Sequence, residues 1–164
     1  VACSKSANSK KSAKSQNSVR KVAQQKAFTV KEFSQITGFK SGEYYDLKDN
    51  ENCLGGDVQI LSSGDGLLTL KVGDKILVTG IGPNEIVSDY SERECQISNK
   101  TKILDSKLIS VLETKCTTGL NKKVTTEVSF EIDPKTRKNL INYSQRRQVP
   151  KEKLNVLRCN LVGA

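Results

Sequence analysis

The side chains best suited to covalent chemistry in this 164-residue chain are five cysteines: Cys3, Cys53, Cys95, Cys116 and Cys159. No histidine accompanies them. That excludes Ser-His and Cys-His nucleophile pairs and removes the commonest general base. No two cysteines are spaced C-x-x-C, which argues against a zinc site. Disulfides are the remaining chemistry, and an odd count sets one thiol apart. Cys3 is that one, because the other four lie among β-rich runs. A two-residue turn at Asp105-Ser106 sets Ile103 opposite Leu108, Asn99 opposite Leu112 and Cys95 opposite Cys116. Directly opposed residues reach disulfide geometry mainly at non-hydrogen-bonded sites. Cys53 is then left with Cys159. The rival pairing, Cys53 with Cys95 and Cys116 with Cys159, stays open. Either pairing implies an oxidising compartment.

Carboxylates offer less. Asp46, Asp49 and Glu51 cluster in "DLKDNE". We read a solvated loop there, because the calcium-loop spacing is not met and a carboxylate pair for acid–base work is poorly specified. The glycines of "LGGDVQILSSGDG" are followed by no GK[ST] and open no helix, so they are turn residues and not a phosphate cradle. We therefore expect no enzyme, no catalytic residue, no metal and no cofactor.

Charge is uneven along the chain. Residues 1–27 hold seven Lys or Arg and no acid, residues 28–134 hold 12 bases against 17 acids, and residues 135–164 hold eight bases against one acid. The net +9 thus describes the two ends and not the middle, where the folded core should lie. Lys135, Arg137, Lys138, Arg146 and Arg147 gather near Tyr143, with Lys151 and Lys153 following, and form a candidate anion-binding face. A nucleic-acid- or polyanion-binding protein using this segment and the basic N-terminal arm is the alternative function. Nucleic acid is disfavoured because aromatic residues, the usual stacking platforms, make up only 5% of the chain.

These groups need elements to hold them. Residues 1–27 are Lys/Ser-rich with little to bury, and we expect a disordered tether. In "FTVKEFSQITGF", Thr29 and Glu32 have capping-box spacing, Phe28 and Phe33 hold the staple positions, and Gly38 supplies the stop. This predicts a short helix over about 30–37, in a unit at 28–41. An apolar face through Val19, Val22, Ala23, Ala27 and Val30 suggests that it extends backward. From 42 to 164 the pattern turns to short β-rich runs: "GEYYDL", "GGDVQILSS", "LLTLKV", "KILVTGI" and up to five more. Gly/Asp turns separate them, as in hairpins. In "EVSFEI", Val128, Phe130 and Ile132 should face a core and Glu127, Ser129 and Glu131 water. The fold class is mainly β, an antiparallel meander of eight or nine strands forming a barrel or a two-layer sandwich. No apolar run is long enough to cross a membrane as a helix.

Three stretches resemble known families. "VAC" at positions 1–3 resembles the end of the lipobox of bacterial lipoproteins, and the chain contains no methionine. The resemblance implies that Cys3 is lipidated after signal-peptide cleavage, with Val1 and Ala2 as the peptide's remnant. "GEYYDL" resembles the opening strand of lipocalins, with Tyr44 at the tryptophan position and Arg158 at that of the final-strand arginine. It implies an architecture and no particular ligand. "TVKEFSQITGF" resembles the first helix of a helix-turn-helix, but strand patterns follow where a recognition helix should stand. The expectation is a lipid-anchored, monomeric binding protein of the bacterial cell envelope, facing the periplasm or cell surface. It would be disulfide-braced and would bind a small apolar ligand in its barrel or a protein partner such as a secreted enzyme.

Overall fold

The computed structural model describes residues 26–48 and 50–164. The N-terminal tether, Cys3 and the backward extension through Val19–Ala23 lie outside those residues, as does Asp49.

Among the described residues one helix, α1 (Val30–Thr37), precedes ten strands: β1 (Gly42–Asp46), β2 (Gly56–Ser62), β3 (Leu68–Val72), β4 (Lys75–Ile81), β5 (Ile86–Glu92), β6 (Cys95–Leu104), β7 (Lys107–Cys116), β8 (Asn121–Ile132), β9 (Asn139–Gln148) and β10 (Asn155–Gly163). All pair antiparallel in one sheet of order β4-β3-β2-β1-β10-β9-β8-β7-β6-β5. Consecutive strands thus pair with each other except β4 and β5, and the last closes onto the first through Tyr44 opposite Gly163. The ladder is interrupted only between β4 and β5, which makes a nearly closed meander barrel and not a sandwich. Its ten strands also depart from the eight of lipocalin barrels.

The helix forms as its caps dictate. Thr29 Oγ1 accepts the Glu32 N–H at 3.1 Å, and Gly38, at φ 78°, turns the chain in the left-handed region. Thr29 is extended, and the Phe28 N–H donates to the Gly66 carbonyl at 3.0 Å. The helix therefore starts at Val30 and does not run back through Ala27: the Thr29 cap and this tertiary bond override the apolar periodicity. All four phenylalanines then meet. Phe33 packs edge-on against Phe28, Phe39 and Phe130 at centroid distances of 6.4, 5.8 and 5.7 Å. The helix is part of the barrel's core, which also takes Val58, Leu70, Leu108, Val128, Ile141 and Leu161.

Two strand expectations need correction. β5, "IVSDYSE", was not among the expected strands, because an edge strand with little to bury carries no apolar alternation. Ile132 is exposed while Val128 is buried, because the core ends before β8 does. Elsewhere the register is as expected. Asp105 and Ser106, at φ 49° and 63°, form the two-residue turn, and Cys95 stands opposite Cys116. The Thr117 N–H donates to the Glu94 carbonyl, which marks the cysteine pair as a non-hydrogen-bonded site. Cys95–Cys116 and Cys53–Cys159 are both disulfides. Among the described residues no helix is long and apolar enough to cross a membrane.

Candidate functional site: the open seam of the barrel

The interruption between β4 and β5 leaves a cleft of about 480 Å³. Its floor follows from strand register. Thr101 on β6, Ser110 on β7, Thr126 on β8 and Gln145 on β9 are directly opposed in turn and form one inward row across four strands. On one side of this row the next inward positions are Ile103, Leu108, Val128 and Tyr143, which belong to the apolar core or pack against it. On the other side come Asn99, Leu112, Val124 and Arg147, of which the first three line the cleft. The polar row is the boundary between a dry half and a wet half of the interior.

A polar row at such a boundary has to be hydrogen-bonded. Thr101 Oγ1 donates to the Thr79 carbonyl on β4 at 3.1 Å, and Asn99 Nδ2 donates to the same oxygen at 3.3 Å. Ser110 Oγ donates to Asn99 Oδ1 at 3.2 Å, and Gln145 Nε2 donates to Thr126 Oγ1 at 3.5 Å. Two β6 side chains thus replace part of the missing ladder along β4. The acceptor is aimed by a bulge: the β3–β4 register slips between Leu68 and Leu70, beside Gly80 at φ 73°. That backbone angle strains any residue with a Cβ. Tyr90, Leu112 and Val124 supply one apolar wall, and Ile76, Leu77 and Val78 the other. Among the described residues no buried side-chain nitrogen or oxygen lacks a partner.

The core half of the barrel is filled. Phe33, Leu70, Leu108 and Leu161 are fully buried, and the β1–β2 loop closes over them. That loop is fixed twice, by the Cys53–Cys159 disulfide and by the Leu54 N–H donating to Tyr143 Oη at 2.7 Å. Burial pushes the Tyr143 phenol above its ordinary value of 10.0; Asp46 adds to the rise and the Leu54 N–H opposes it. Tyr44 is raised by burial as well, and its hydroxyl donates to the Lys40 carbonyl at 2.8 Å. Arg158, matched to the lipocalin arginine, is exposed among outward-facing residues, whereas Tyr44 is buried.

The structure does not bring the candidate anion-binding residues together. Lys135, Arg137 and Lys138 lie in the β8–β9 turn. There Asp133 accepts the Lys135 N–H at 2.8 Å, and this bond first, then those from Thr136, holds its carboxyl below the usual range. Arg146 and Arg147 sit near the far end of β9, roughly 26 Å away along an extended strand. Tyr143, expected at the centre of the cluster, is buried in the core. Of the acid cluster, the Asp46 carboxylate accepts the Asn50 N–H at 2.6 Å, a loop-forming contact. Among the described residues no group of three or more acids or cysteines converges on a metal position.

No protein-family model, curated protein or solved structure matches the chain.

Proposed function

We propose that the chain is an exported, lipid-anchored binding protein that takes a small amphipathic ligand in the seam cleft. Anchoring through Cys3 rests on the Val1-Ala2-Cys3 resemblance. It agrees with the two disulfides, which point to an oxidising, extracytoplasmic compartment. The observation that carries the ligand reading is a cleft of about 480 Å³ with apolar walls and a hydrogen-bonded polar floor. Small-molecule sites are concave, mostly apolar and of roughly 300–1,000 Å³, with a few placed polar groups. Phe33, Leu70, Leu108 and Leu161 fill the core side of the barrel, so the ligand enters from the seam and carries hydrogen-bonding groups toward Asn99, Ser110 and Gln145.

Anilinonaphthalene sulfonate, an amphipathic fluorescent probe, tests this reading. It should brighten on the folded protein, shift the amide resonances of Tyr90, Leu112 and Gln145, and lose about tenfold in affinity in Leu112→Arg. Shifts confined to other surfaces would instead favour a protein-recognition role.

A further inference from the structure

We propose that the barrel end built by the β7–β8 and β9–β10 turns docks on an anionic lipid surface. Lys123 on β8 lies opposite Gln148 on β9, so the two turns that follow these strand ends stand side by side. Each carries a leucine turned to solvent: Leu120 is 54% exposed and Leu154 43%. Between the turns lies a depression of about 480 Å³ whose lining includes Lys115, Lys122, Lys123 and Lys151. Two acids share it, Glu113 and Glu152, and Glu113 is already paired with Lys123 at 3.9 Å. Arg146, exposed on β9 two residues before Gln148 and on the same face, extends the same sign.

The charge reverses across the barrel end. On the far side of the β7–β8 turn, the β5–β6 turn presents Glu92 and Glu94 beside Arg93, and Thr117 holds Glu94 through both its hydroxyl and its N–H. An anionic surface is therefore met on the β7–β10 side and repelled on the β5–β6 side, which fixes the orientation of approach. Lysines alone would suit any polyanion. Exposed leucines at adjacent tips add what a soluble polyanion cannot use, an apolar group placed to enter the headgroup boundary. This surface is separate from the seam cleft, and the proposal stands without acylation of Cys3.

The test is co-sedimentation of the full chain carrying Cys3→Ser, which prevents acylation. Vesicles are of phosphatidylcholine alone or mixed with phosphatidylglycerol. The parent should bind the anionic vesicles only, with affinity falling as salt rises. Reversing Lys122, Lys123 and Lys151 to Glu should weaken binding by about 100-fold or more, since each cation near such a surface contributes about fivefold. Leu120→Ser with Leu154→Ser should weaken it by about tenfold while melting like the parent. Binding unchanged in the leucine variant would overturn docking in favour of charge attraction alone. Binding unchanged in both variants would assign it to the basic N-terminal segment and sink the proposal.

Discussion

Tyr143 and Cys159 stand directly opposite each other on β9 and β10, and together they fasten two consecutive residues of one loop. Cys159 is bonded to Cys53, and the Tyr143 hydroxyl accepts the N–H of Leu54. The β1–β2 loop is thereby pinned over the core by one covalent bond and one hydrogen bond from a single rung. Tyr143→Phe leaves the Leu54 N–H without its partner, which should cost about 1–3 kcal/mol. Urea titration should show a lower midpoint with an unchanged slope.

The two disulfides should contribute unequally. Cys53–Cys159 closes a separation of 106 residues and Cys95–Cys116 one of 21. In the chain-entropy description these are worth about 4.7 and 3 kcal/mol. Paired Ser substitutions at 53 and 159 should lower the melting temperature more than those at 95 and 116. Loss of the second pair should instead speed amide exchange selectively in β5 and β6, which contribute no fully buried apolar residue. Reduction of the native protein should add the mass of four hydrogens.

Alkaline pH should destabilise the fold through Tyr44 and Tyr143. Burial raises both phenols in the folded state, so above about pH 10 the unfolded chain releases protons that the folded one keeps. Their contribution is complete below the unfolded value and is lost as pH rises through the folded one. Unfolding free energies at pH 9 to 11 should fall, and fall less steeply when both tyrosines are replaced by Phe.

The turn at Asp105-Ser106 should be improvable. Both residues have positive φ, a conformation that Asn-Gly adopts at far lower cost. Asp105→Asn with Ser106→Gly should raise stability by about 0.5–1 kcal/mol, read as a higher thermal midpoint with the Cys95–Cys116 bond intact.

Local signals carried much of the architecture. Thr29, Glu32 and Gly38 bounded the helix because caps act through neighbours three and four residues away. Asp105-Ser106 set a register that reached Cys95 and Cys116, because a two-residue turn fixes every pair beyond it. The same register already placed Thr101 opposite Ser110, the first step of the polar row. The remaining steps were hidden, since joining Ser110 to Thr126 and Thr126 to Gln145 needs the β7–β8 and β8–β9 registers, and inward polar residues look like outward ones in a half-wet strand. β5 was hidden for a related reason: its Ser, Asp and Glu positions protect an edge and bury almost nothing. The basic cluster misled because residues at the two ends of a ten-residue strand are near in sequence and far apart in space.

The pairing of first strand with last bears on how the chain acquires its fold. The Tyr44–Gly163 rung and the Cys53–Cys159 bond both need β10, so the barrel cannot close on the ribosome before that strand emerges. Long-range closure is entropically slow, whereas the β6–β7 hairpin forms from neighbours. A half-made chain would hold an early, local hairpin and an open remainder. That slow closing step keeps the polypeptide open and threadable until β10 is available, which accords with disulfides that form in an oxidising compartment.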